Sequence, residues 1–239
     1  MKTTEIISSQ FNYINNNSKE LLNICFPYFL ILLIGGYVSE DSLYFIPVIL
    51  IEYIAGVLMI VNIHRYIILD DKKNYYSFSE RLKPTFIYIC YSLLLIVISF
   101  FPMILFGVSF FLIDVLPILI SLIIIGIFFL IMIFSLFLVY PSFALNLPMA
   151  AVGEKVEFFK MWKLSKGFKL TIFLQMLIIT IIVLLIIVPF YLWLGDNLLS
   201  NLVSSFLAVT AYVLLICCLS KTYLLWKEKN IQVLQTQLN

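Results

Sequence analysis

The fifteen lysines and arginines of this chain are confined to every second connection between six apolar segments. The segments read as Leu21–Val38, Tyr44–Ile63, Thr85–Leu105, Leu116–Tyr140, Leu170–Leu194 and Asn201–Ser220. Lys2 and Lys19 precede the first. Arg65, Lys72, Lys73, Arg81 and Lys83 follow the second, and Lys155, Lys160, Lys163, Lys166 and Lys169 follow the fourth. Lys221, Lys227 and Lys229 follow the sixth. The intervening connections carry only acids: Glu40 and Asp41, then Asp114, then Asp196. Basic loops resist translocation, so this alternation predicts an all-α bundle of six transmembrane helices with N and C termini cytoplasmic.

The remaining chain is too apolar for any other solution. Hydrophobic residues make up 63% and charged residues 12%, and buried helices of a soluble domain would lack polar sequence to cover them. A hydrocarbon core of ~30 Å needs about 20 apolar residues per helix, close to the length of each segment. The organisation predicted is a cytoplasmic amphipathic arm over residues 1–20, a six-helix domain over 21–225 and a cytoplasmic tail over 226–239. The first twenty residues are polar, with Glu5 and Glu20, so the first span is expected to be retained rather than cleaved as a signal peptide. A bacterial inner-membrane location follows from the same reading.

The short outer connections offer no room for a domain. The inner ones, His64–Pro84 and Pro141–Lys169, mix lysines with aromatics: Tyr75, Tyr76 and Phe78 in one, Phe158, Phe159 and Trp162 in the other. Over Val156–Lys166 the spacing predicts an interfacial helix on the inner leaflet, apolar side down and lysines at the headgroups. His64, Arg65, Lys160, Trp162, Lys163 and Lys166 are therefore the candidate contacts to lipid headgroups or a partner. Asp70 and Asp71 are placed to pair with Arg65. Phe11, Ser18, Lys19 and Phe26 recur as Phe158, Ser165, Lys166 and Phe173, which suggests repeats of an arm followed by a helical hairpin.

Glu52 is the one acid deep inside a span. It lies ~12 Å from the outer end at Tyr44, counting 1.5 Å per residue. A central charge costs roughly 2.5–3.5 kcal/mol on insertion scales, so Glu52 should face the bundle interior as a neutral or hydrogen-bonded group. Val48, Ala55, Gly56, Met59 and Asn62 share its face. The small residues allow close helix approach, and Asn62 can hydrogen-bond across the interface. Glu52 and Asn62 are thus the candidate intramembrane polar site. No second acid at that depth makes a proton relay; Ser99, Gln175 and Thr180 are hydrogen-bonding partners at most.

Other chemistries find little material. His64 is the single histidine and no metal ligands cluster around it. Cys25, Cys90, Cys217 and Cys218 lie in apolar segments without metal-binding spacing. No nucleophile motif, phosphate loop or glycine-rich fingerprint occurs, so neither enzyme activity nor a cofactor is expected. A net charge of +2, with acids among the basic loops, excludes a dedicated nucleic-acid surface.

Two stretches resemble a family. One is His64-Arg65-Tyr66-Ile67-Ile68-Leu69-Asp70. The other is Tyr140-Pro141-Ser142-Phe143-Ala144-Leu145, continuing through Pro148, Ala150, Val152 and Phe158 to Trp162-Lys163-Leu164-Ser165-Lys166-Gly167. The second is similar to a Pro-x-x-Ala … Trp-x-x-(Thr/Ser)-x-Gly connection of YciC-like bacterial inner-membrane proteins, shared with the membrane domain attached to some glycerophosphodiester phosphodiesterases. The first departs from the family's His-Arg-x-x-Leu pattern, its Leu coming one residue later. The resemblance implies a six-helix membrane protein and carries over no catalytic residue; phosphodiesterase activity is not implied. The expected function is a non-enzymatic accessory or scaffold protein engaging membrane lipids, a membrane partner or a second copy of itself. The alternative is a small transporter or permease subunit with Glu52 as its proton or cation site.

Overall fold

The computed structural model describes residues 3–36, 38, 43–71, 78–111, 116–155, 158–194 and 198–238. Glu40, Asp41, Asp114 and Asp196, the acids expected on the outer side, lie outside these residues, as do Lys2, Lys72, Lys73, Tyr75, Tyr76 and Val156. Every regular element described is helical. They are α1 (Thr3–Asn16), α2 (Ser18–Gly35), α3 (Phe45–Leu69), α4 (Phe78–Ser109), α5 (Ile118–Phe134), α6 (Tyr140–Phe143), α7 (Asn146–Ala151), α8 (Met161–Leu164), α9 (Lys169–Leu194) and α10 (Leu198–Leu238). Six stretches are long and apolar enough to cross a membrane: α2, α3, most of α4, the run from Ile118 to Ala151, the first part of α9 and most of α10.

The helices are longer than the apolar segments. The 25 residues of α3 span ~37 Å and the 41 of α10 ~61 Å, so α3 continues past Ile63 and α10 well past Ser220. Three antiparallel pairs, α2 with α3, α4 with α5 and α9 with α10, are joined by contacts of α3 with α10 and with α4. Side-chain contacts tie the basic segments to neighbouring elements. Tyr66 Oη donates to Asn17 Oδ1 at 2.9 Å, Arg65 and Arg81 share Asp71, and Lys227 meets Glu154 at 2.6 Å.

The largest departure from expectation is the stretch from Pro141 to Ala151. It was expected to begin a cytoplasmic connection, yet it lies in the centre of the bundle, with α7 against α3, α4 and α10. Ala144, Leu145, Ala150 and Ala151 are fully buried. The reason is compositional: no charged side chain occurs between Lys83 and Asp114 or between Asp114 and Glu154, so nothing holds this stretch in water. Its alanines let neighbouring helices close over it. The entry is a π-helical turn, Ser135–Val139, where Ser135 Oγ donates to Ser99 O at 3.2 Å and Ile98 O at 3.3 Å. Ser142 Oγ donates back to Leu138 O. Protein surrounds the stretch from Pro141 to Pro148, which is buried throughout.

Within the arm at 1–20, α1 packs on α9 and α10, with Ile7 against Ile179, Leu214 and Cys218. α10 runs on without a break into the tail at 226–239, and Trp226 is buried.

Candidate functional site

The sequence-predicted residues fall into three places. At the basic end, the interfacial helix expected over Val156–Lys166 is shorter than its pattern suggests. A 3-10 turn, Phe158–Lys160, precedes the single turn of α8. The chain then reverses at Gly167, whose φ of +93° belongs to the left-handed region that a side chain disfavours. Four residues of helix cannot offer a long amphipathic stripe. They instead turn Met161 inward, fully buried, and leave Phe159, Trp162, Leu164, Lys160, Lys163 and Lys166 outward.

Contacts hold this face from behind. Trp226 Nε1 donates to Leu164 O at 2.9 Å, and Phe143 of α6 lies 5.7 Å from the Trp162 ring. Lys227 Nζ donates to Glu154 Oε1 at 2.6 Å and Tyr223 Oη to Glu154 Oε2 at 2.5 Å, fixing the chain just before the turn. Lys169 Nζ sits 4.0 Å from the Trp162 ring centroid, within cation–π range. Trp162, Lys163, Lys166 and Lys169 line an open groove of about 630 Å³. Phe159 is 78% exposed and Leu164 43%, a strongly apolar display between lysines.

His64 and Arg65 do not join that face. His64 has no exposed surface, which corrects its expected place among the headgroup contacts. Its side chain follows the helical face of Val57 and Val61, which is the core face of α3. The Ser220 hydroxyl donates to Ile216 O at 2.8 Å, so at the 2.7 Å contact between His64 Nδ1 and Ser220 Oγ the imidazole is the donor. That fixes the tautomer with hydrogen on Nδ1. Its Nε2 then carries a lone pair with no hydrogen-bond partner among the described residues.

Arg65 is engaged by Asp71, with Nε and Nη2 each 3.2 Å from Oδ2, as its spacing from that acid anticipated. The residue that sequence reasoning treated only as a loop cation is Arg81. It is 3% exposed, donates to Asn62 Oδ1 and reaches Asp71 at 3.4 Å. Asn62 therefore does hydrogen-bond across a helix interface, but to α4 at the basic end rather than toward Glu52.

Glu52 is the third place. The carboxylate lies against α2 at Gly35: a Cβ there would fall 1.6 Å from Glu52 Oε1, so a side chain at position 35 would push the flexible carboxylate end aside. One turn on, Gly56 lies beside Tyr28, whose ring would be 3.1 Å from an added Cβ. Glu52 also borders a cleft of about 450 Å³ between α2, α3, α4, the α6–α7 segment and α10. Tyrosines from all of these elements line it: Tyr28, Tyr53, Tyr88, Tyr140 and Tyr212. The Ser92 hydroxyl donates to Ile89 O at 2.9 Å, so in its 3.0 Å contact with Tyr53 Oη the tyrosine is the donor. Hydrogen bonding thus orients one wall of the cleft.

No group of three or more His, Cys, Asp and Glu side chains that could hold a metal ion comes together among the described residues. Cys25, Cys217 and Cys218 are buried, and Cys90 is exposed on the flank of α4. No protein-family model, no curated protein and no solved structure matches the chain.

Proposed function

We propose that this chain is a non-enzymatic accessory or scaffold protein of the bacterial inner membrane, related to the YciC-like proteins it resembles, with both termini in the cytoplasm. Its basic aromatic face, Phe159 to Lys169, docks on anionic lipid headgroups. One observation carries the reading: a turn that exposes Phe159, Trp162 and Leu164 among Lys160, Lys163 and Lys166. Aromatic rings favour the headgroup level. Each lysine near an anionic leaflet contributes about 1 kcal/mol, so the three with Lys169 amount to roughly 4 kcal/mol when all engage. Arg65, half occupied by Asp71, adds less.

The test is lipid retention. The chain purified in gentle detergent and analysed by native mass spectrometry should keep phosphatidylglycerol in preference to phosphatidylcholine. Replacing Lys160, Lys163 and Lys166 by Gln should reduce that preference at least tenfold, and raising salt should weaken it. Equal retention of both lipids, or a preference unchanged in the triple variant, contradicts the proposal. A second reading, a small transporter or permease subunit using Glu52 as its proton or cation site, is favoured by the cleft that the carboxylate borders.

A further inference from the structure

The Glu52 cleft has a composition that selects among ligands. Its volume of about 450 Å³ falls within the range of small-molecule sites, roughly 300–1,000 Å³. Its walls are largely apolar and aromatic, and among the described residues neither lysine, arginine nor histidine lines it. The one ionisable acid is Glu52, which has no hydrogen-bond or ion-pair partner among the described residues. Desolvation penalises a lone carboxylate at this depth. A ligand carrying positive charge offsets that penalty, whereas an anion adds to it.

The five tyrosines sharpen the choice. A tyrosine ring presents a negative face, and a cation within ~6 Å of its centroid is attracted, more strongly where water is excluded. Tyr88 is 4% exposed, and Tyr28 is partly buried beside Gly56, so both rings are packed against protein. Tyr212 on α10 is 49% exposed and forms the rim. A small inorganic cation would need several oxygen ligands at once, which one carboxylate does not supply. A large, weakly hydrated organic cation needs only one counter-charge, aromatic faces and apolar walls.

We propose that the cleft is a binding site for a lipophilic organic cation, its charge held between the Glu52 carboxylate and the faces of Tyr28 and Tyr212. The proposal rests on the second reading above only in treating the cleft as a ligand site, and it holds whether or not the ligand is moved across the membrane. Bound cation and Glu52 neutralise each other inside the bundle, and the apolar remainder of the ligand contacts Ile49, Leu95 and Ile96.

The experiment uses the full chain in lipid nanodiscs with radiolabelled tetraphenylphosphonium, and tetraphenylborate as a probe of the same shape and opposite charge. Saturable binding of the cation above that of protein-free nanodiscs, with no saturable binding of the anion, is expected. Glu52→Gln should weaken cation binding at least tenfold. Tyr212→Leu should weaken it about fivefold, and Tyr212→Phe, which keeps the ring, should leave it within twofold. The rim position of Tyr212 makes those variants safe for folding. Absence of saturable cation binding, equal binding of both probes, or undiminished binding in Glu52→Gln overturns the site. Uptake into proteoliposomes separates the two readings: binding without uptake supports the site and removes the transporter, while uptake indifferent to Glu52→Gln overturns the site.

Discussion

Gln175 of α9 and Thr222 of α10 form a buried polar link whose two halves should not be equally costly to remove. Gln175 Nε2 donates to Thr222 Oγ1 at 3.0 Å, and the threonine hydroxyl lies 3.2 Å from Gln175 Oε1 and 2.9 Å from Cys218 O. Gln175 is 2% exposed and Thr222 not at all. Thr222→Val keeps the shape but strips the amide of its partner, leaving two NH hydrogens and a carbonyl in a dry interface. An orphaned buried group costs about 1–3 kcal/mol. Gln175→Leu removes the needy partner instead. Thr222 still donates to Cys218 O, so the loss is that of one interhelical hydrogen bond, about 0.5–1 kcal/mol in membrane bundles. The double variant has no orphan and should lie near Gln175→Leu, giving a coupling of about 1 kcal/mol or more between neighbouring sites. Equilibrium unfolding in mixed micelles titrated with sodium dodecyl sulfate, followed by circular dichroism, measures all three. Thr222→Val no more costly than Gln175→Leu, with additive effects in the double variant, would refute the reasoning.

Trp226→Ala should cost about 3–5 kcal/mol, as for a large buried aromatic, and should free the α8 turn. Limited trypsin digestion in nanodiscs should then cut at Lys163 and Lys166 faster than in the parent chain. Lys227→Ala should change stability by less than about 1 kcal/mol, because the two ends of its ion pair with Glu154 are 42% and 33% exposed; a larger loss in unfolding assays would show a stronger clamp. Glu52→Gln should preserve expression and thermal stability in detergent, whereas Glu52→Lys should impair both, because a longer charged chain must enter the space opposite Gly35. Size-exclusion profiles and thermal melts of the two variants decide this.

How far the sequence could be read depended on where its charges stood. The run of acids and bases between apolar segments located the spans, because charge is what keeps a connection out of hydrocarbon; Asp71 pairs with Arg65 and Arg81, and Glu154 with Lys227. The same logic, applied further, would have found the buried stretch: between Tyr140 and Gly153 there is no charged residue at all. Pro141, Pro148 and Ser142 read as linker, but inside protein they mark broken helix. His64 was legible too, since it continues the Val57–Val61 face, and only its pairing with Arg65 in sequence suggested the surface. Arg81 was not legible. Its burial depends on Asn62 and Asp71 arriving from another helix, a coincidence of tertiary structure that periodicity does not encode. The cleft was half visible. Glu52 and Gly56 announced a close, polar interface, but the five tyrosines come from five elements and share no spacing.

The most direct test of the account is which side of the membrane the basic aromatic face occupies. Single cysteines are introduced into a background from which Cys25, Cys90, Cys217 and Cys218 have been removed, and intact cells are treated with a membrane-impermeant thiol reagent. Cysteines at Glu40, Asp114 and Asp196 should be labelled at once, and those at Lys73 and Lys160 only after lysis. Labelling at Lys160 in unbroken cells would place the face outside, away from the cytoplasmic leaflet it is proposed to bind, and would contradict both the topology and the function built on it.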